Sequence, residues 1–196
     1  MRQMMTYVCG LTVAVLILCA TSAPAQTTGV GPYYATPSWD QTLPCATPAN
    51  CSRFIVLTNM NGEAVLDRET GLLWEKTPQA AAVTRVSAVL QCLQRQIGGR
   101  MGWRVPAAAE LFSLMDTNNT PPFFPAPAAL PLGHPFVGVN AIFWSTANVG
   151  APFGPADRGF ISVSMPGGIT QTGGSSDLIR VWCVRGPGGD SSIMGR

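Results

Sequence analysis

The longest helical pattern in the chain runs over residues 79–96, where Val83, Val86, Val89, Leu90, Leu93 and Ile97 recur at spacings of three and four with Cys92 beside them. Gly98-Gly99 is its predicted stop. A second helix is predicted over 107–115, entered through Gly102-Trp103-Arg104-Val105-Pro106. That segment reads as an extended corner, with Pro106 at the first turn of the following helix, where a missing N–H costs nothing. Glu110 falls near the helix start, where a carboxylate suits the dipole, and within reach of Arg104.

Between and around these helices the periodicity is that of strands. Phe54-Ile55-Val56-Leu57, the turn Asn61-Gly62, residues 63–67, the turn 67–71 and Leu72-Leu73-Trp74-Glu75-Lys76 read as a β-meander. Ile142-Phe143-Trp144-Ser145-Thr146-Ala147 reads as a buried strand, and residues 160–165 and 169–172 as a pair turning at Pro166-Gly167-Gly168. A last strand over 178–184 puts Ile179, Val181 and Cys183 on one face. Residues 26–52 show neither period and are expected as an extended arm. Residues 121–141, with six prolines and the pair Phe123-Phe124, are expected as a long loop of the kind that carries function. Residues 186–196 read as a disordered tail. The whole is an α+β pattern of two helices with a mainly antiparallel sheet and long loops.

Before this domain, residues 1–25 show a basic start, an apolar run over 8–20 and Ala23-Pro24-Ala25, the three parts of a secretory signal peptide, with Gln26 expected as the first mature residue. The run is short for a membrane span, and Leu18 before Cys19 argues against lipidation. The expected product is exported, periplasmic or secreted to the cell surface. Export changes the meaning of the cysteines. Four of the six remain in the mature chain, and three pairings are open to them; Cys45 with Cys51 is the easiest closure, which leaves Cys92 with Cys183. The longer loop, about 90 residues, is worth about 4 to 5 kcal/mol in the chain-entropy model.

Composition excludes more than it identifies. A formal net charge of +2 and only 11% charged residues argue against nucleic acid, whose phosphates demand a clustered basic excess. Asp67 and Glu69 lack the rest of a calcium loop, so Asp67 reads as a turn residue. Gly98-Gly99-Arg100-Met101-Gly102 follows a helix and lacks the Lys-Ser/Thr of a phosphate loop. His134, the only histidine, has no nucleophile context, and no cofactor signature is present. Trp103, Trp144 and Trp182 are expected in the core rather than as a stacking platform for sugars. Arg104 and Arg185 are expected to meet carboxylates or carbonyls. The expectation is a non-catalytic protein.

Four ordered motifs carry a resemblance: Asp67-x-x-Thr70-Gly71-Leu72-x-Trp74, Gly102-Trp103-Arg104-Val105-Pro106 with Glu110-Leu111, Phe143-Trp144-Ser145-Thr146, and Val181-Trp182-Cys183-Val184-Arg185. Together they resemble the bacterial family named after the C-terminal domain of the Legionella collagen-like adhesin, over residues 53–185. They also resemble the wider C-type-lectin-like fold, in which a helix cysteine is tied to one in the last strand. Val105 stands for the usual Leu and Ala107 for a capping Thr. The E-P-N, Q-P-D and W-N-D sugar-and-calcium motifs of that fold are missing, so calcium-dependent sugar binding is not implied. The resemblance implies an adhesion or recognition module taking a glycan, extracellular matrix or a protein ligand. Arg100, Phe123, Phe124, His134 and Arg158 are its candidate ligand residues, with Arg95 as a further cation for a polyanion. The alternative is a structural or assembly subunit, forming a homo-oligomer or binding a protein partner through the Phe/Pro loop.

Overall fold

The structure is a computed structural model and describes residues 26–29, 40–116, 130–149, 159–166 and 168–187. The expected signal peptide, Phe123, Phe124, Arg158 and residues 188–196 of the expected tail lie outside the described residues.

Among the described residues, ten strands and two α-helices follow in the order β1 (Thr28–Gly29), β2 (Cys45–Thr47), β3 (Asn50–Cys51), β4 (Phe54–Leu57), β5 (Ala64–Asp67), β6 (Leu72–Glu75), α1 (Arg85–Gln94), α2 (Ala108–Ser113), β7 (Ile142–Asn148), β8 (Phe160–Ser164), β9 (Ile169–Gly173) and β10 (Val184–Arg185). The predicted meander is β4-β5-β6, antiparallel throughout, with Phe54 opposite Asp67 and Val65 opposite Trp74. Its first turn puts Asn61 and Gly62 at φ 56° and 69°, the left-handed region these two residue types tolerate best. β10 joins the meander antiparallel to β6, and β1 joins it parallel to β4, giving the order β1-β4-β5-β6-β10. A second sheet, β7-β8-β9, is an antiparallel meander, and β2-β3 is a small hairpin. The class is α+β, as the alternating patterns imply.

Two cores result. One gathers Phe54, Trp74, Leu111, Leu114, Phe136, Phe143 and Trp182; the other gathers Ile55, Leu57, Met60, Ala88, Cys92, Trp103, Trp144 and Cys183. The meander lies between them, so both faces of β4 are buried and its four residues read as an unbroken apolar run. Two disulfides, Cys45–Cys51 and Cys92–Cys183, fix the hairpin and tie α1 to the chain entering β10.

Several expectations need correction. Residues 26–52 are not simply an arm, since they supply β1, β2 and β3. The last strand is not continuous over 178–184: Ile179 and Arg180 make isolated bridges to Val83 and Phe143, and only Val184–Arg185 is a strand. Ile179, Val181 and Cys183 nonetheless share one core. α1 starts six residues late because Val83 bonds Ile179 in both directions, at 2.9 and 3.1 Å, and Thr84 caps the helix. It ends before the glycines, which turn the chain between Ile97 and Arg100 instead. The helix also presents a different face. Arg85, Ala88 and Cys92 are buried, whereas Val86, Leu90 and Leu93 are more than half exposed.

Candidate functional site

The sequence motifs build the scaffold. Arg53 lies buried beside Asp67, with Nε to Oδ1 and Nη2 to Oδ2 both 3.1 Å, and its Nη1 meets Glu69 Oε2 at 3.1 Å. Asp67 also accepts from the Glu69 amide and the Thr70 hydroxyl, at 3.1 and 3.0 Å. One carboxylate therefore closes the turn, which accounts for the Asp-x-x-Thr-Gly spacing. Arg104 grips Glu110 through two bonds of 2.8 and 2.7 Å, and Glu110 Oε2 accepts the Ala107 amide at 2.8 Å. Glu110 thus performs both roles expected of it. It also covers an amide at a helix start that Ala107 cannot cap with a side chain.

The terminal motif docks onto this corner. Arg104 and Val184 exchange backbone hydrogen bonds of 2.9 Å, and Arg185 Nε donates to the Met101 carbonyl at 2.9 Å. Trp74, Trp103, Trp144 and Trp182 are fully buried, Trp74 and Trp182 with ring centroids 5.1 Å apart. Three of their indole N–H groups donate to carbonyls: Trp103 to Arg100, Trp144 to Val83 and Trp182 to Glu75, at 2.8, 2.8 and 2.7 Å. Core packing is their role, as expected, and no sugar can stack on them. Pro106 is buried at the same corner, its carbonyl accepting from Thr146 at 2.8 Å.

Two clefts remain. The first, 540 Å³, is lined by Thr42, Leu43 and Ala46 beside the Cys45–Cys51 hairpin, by Arg53 and Glu69, by Ser113 and Asp116 after α2, and by Leu132. Pro131 and Leu132 of its lining belong to the segment 121–141 expected as a long loop. Its walls are well tied: Glu69 Oε1 accepts the Leu43 amide at 2.7 Å, Arg53 donates to the Ser113 carbonyl, and Gly133 N donates to the Cys45 carbonyl at 3.0 Å. Gly133 is packed directly on the Thr47 backbone, leaving no room for a Cβ.

The second cleft, 440 Å³, opens where Gly62 and Glu63, the end of β6, the residues after α1 and Val137 converge. Glu75 lies in its wall, its side chain only 5% exposed, ion-paired through Oε1 to Arg95. Its Oε2 is buried without a hydrogen-bond partner. Burial raises the Glu75 carboxyl above its ordinary pKa, against the opposing pull of Arg95. Glu63 Oε2 accepts the Gly98 amide at 2.6 Å, and Lys76 Nζ donates to Gln26 Oε1 at 2.9 Å.

Of the predicted ligand residues, Arg100 and His134 are among those described, and they share neither cleft. Arg100 is exposed at the turn after α1, and His134 lines neither cleft. His134 is half-buried and stacks on Phe136 with centroids 5.8 Å apart, and its Nδ1 accepts the Phe136 amide at 3.1 Å. Burial lowers its pKa from the usual 6.5. Arg95 is committed to Glu75 and is not a free cation for a polyanion. Glu75 itself escaped sequence reading, although a lone carboxylate closing the run Leu72-Leu73-Trp74 was the available signal. Arg85 escaped too. It is buried over the Phe160 ring, 5.3 Å from the centroid, and burial lowers its pKa.

These features define a disulfide-stapled α+β domain built around paired tryptophan cores, with clefts between its loops and strand ends. The sequence matches the Lcl C-terminal domain over residues 63–185, and the chain belongs to that family. No curated protein and no solved structure matches it. No helix among the described residues is long and apolar enough to cross a membrane.

Proposed function

We propose that the protein is an exported, non-catalytic recognition and adhesion module, binding a glycan or extracellular matrix through the cleft between the Cys45–Cys51 hairpin and Leu132. The reading is supported chiefly by that 540 Å³ cleft, whose volume is ordinary for a ligand site and whose walls are held by a disulfide hairpin and the Arg53 network. Membership of the family adds an adhesin-related context, and disulfides suit an oxidising compartment. The tie from α1 to the terminal strand agrees with a C-type-lectin-like scaffold. The test is a glycan and matrix array probed with the mature chain beginning at Gln26. Binding that Thr42→Arg and Leu132→Asp weaken at least about tenfold, without loss of melting temperature, supports the reading. Retention by both variants, or no ligand on the array, refutes it.

One observation favours the alternative of a structural or assembly subunit: Val86, Leu90 and Leu93 form an exposed apolar line at i, i+4, i+7 on α1. Light scattering on the mature chain separates the readings. A homo-oligomer dispersed by Leu90→Gln with Leu93→Gln favours assembly, and a monomer favours recognition.

A further inference from the structure

The polar groups of the first cleft are engaged with one another. Arg53 gives Nε and Nη2 to Asp67, Nη1 to Glu69 and a further bond to the Ser113 carbonyl. Glu69 accepts the Leu43 amide with its other oxygen, Ser113 Oγ donates to the Glu110 carbonyl at 2.8 Å, and Asp116 is likewise engaged. The backbone of the wall is occupied too. The Pro44 carbonyl accepts from the Ser52 amide at 2.9 Å, that of Cys45 from Gly133 at 3.0 Å and that of Pro131 from His134 at 3.1 Å. Among the described residues this leaves Thr42, which is exposed, as the one polar lining side chain outside the network. What the cleft still offers a ligand is apolar surface. Leu43, Pro44, Ala46, Met115, Pro131 and Leu132 line it, and Leu132 is 76% exposed. A set of sugar hydroxyls entering there gives up water and finds few partners in return.

We propose that the ligand of this cleft is a protein, held by one apolar side chain, phenylalanine or leucine, that seats between Leu132 and the Cys45–Cys51 hairpin. The inference rests on the recognition reading above and narrows its ligand from a glycan or matrix to a protein. The volume of 540 Å³ falls within the usual range of ligand sites, about 300 to 1,000 Å³, and so has room for such an anchor. Met115 supplies an unbranched, adaptable wall that can close on apolar groups of different shape. Beside this apolar centre the segment carrying the hairpin exposes Gln41, Thr42, Thr47 and Asn50, all polar and uncharged. An apolar centre within a polar rim is the anatomy of a protein interface. A lipid surface is the other source of apolar groups, but residues 40–52 contain no Lys or Arg to meet anionic headgroups.

The test follows the Leu and Met methyl resonances of the protein while N-acetyl-phenylalaninamide, N-acetyl-leucinamide, methyl glucoside, methyl galactoside and hexanol are titrated separately to about 20 mM. Leu43, Met115 and Leu132 report on the cleft, and Leu90 and Leu93, exposed on α1, report non-specific contact. The expected result is a dose-dependent shift of the three cleft methyls with at least one of the two amides, larger than any shift at Leu90 and Leu93, and no shift with either glycoside. Leu132→Asp should abolish the response at Leu43 and Met115. Thr42→Val removes the free hydroxyl at nearly constant size and should leave the response unchanged or enlarge it. Both positions are exposed, so both variants should keep the native melting temperature. Loss of the response in Thr42→Val, a stronger response to hexanol than to both amides, or cleft methyls that move no more than those of α1 overturns the proposal. A cleft response to a glycoside overturns it as well, while leaving the cleft a recognition site; the recognition reading itself stands or falls on the array.

Discussion

Protonating His134 removes an acceptor as well as adding a charge, because its Nδ1 receives the Phe136 amide. Burial lowers its folded pKa below the unfolded 6.5, so its contribution to stability is complete above 6.5 and is lost as pH falls through the lowered value. Glu75 acts in the opposite sense. Its raised pKa means a contribution complete below 4.5 and lost as pH rises through the folded value. His134→Asn keeps a side-chain acceptor and cannot titrate. Its melting temperature should therefore fall less than that of the native protein between about pH 7.5 and 5, and an equal fall would refute this account. The Arg104–Glu110 pair is partly exposed, so most of its worth lies in the helix-start amide. Glu110→Ala should cost about 1 to 2 kcal/mol by urea unfolding, whereas Glu110→Gln, which keeps an acceptor, should cost less. Pairs such as this one were legible in the sequence because their partners lie six residues apart. Arg53 with Asp67, or Glu75 with Arg95, were not, because the fold rather than the spacing joins them.

Helix α1 shows why element type is easier to read than element face. Its sequence contains two candidate stripes, and the longer side chains of Val86, Leu90 and Leu93 made theirs look like the core. The tie from Cys92 to Cys183 turns the narrower face of Ala88 and Cys92 inward, into the core that holds Trp103 and Met60. Small residues there let the helix approach closely. Ala88→Leu should therefore destabilise by about 1 to 3 kcal/mol through overpacking, while Leu90→Gln should change stability by no more than about 0.5 kcal/mol in the monomer. Denaturant unfolding of the two variants distinguishes the faces, and the reverse order would restore the face expected from periodicity. The glycine turn after the helix is equally specific. Gly98 has φ +57°, and a Cβ would strike Met60, so Gly98→Ala should cost more than about 1 kcal/mol and lower the melting temperature.

At the scale of the molecule, the strands of the meander were legible because each pairs with its sequence neighbour across a short turn. The insertion of β10 beside β6, and the addition of β1 beside β4, were not, since both depend on contacts more than twenty residues apart. The clefts share that origin, each being walled by segments from distant parts of the chain. Cys92–Cys183 is the bond that holds this arrangement closed, tying α1 to the chain beside β6 and the Glu75 cleft. Replacing both cysteines by Ala should cost about 2 to 5 kcal/mol in unfolding experiments. The most direct measurement is a non-reducing peptide map of the purified protein. The account predicts one peptide pair joining Cys45 to Cys51 and another joining Cys92 to Cys183. A free thiol at Cys92 or Cys183, or an exchange of partners between the pairs, would contradict it.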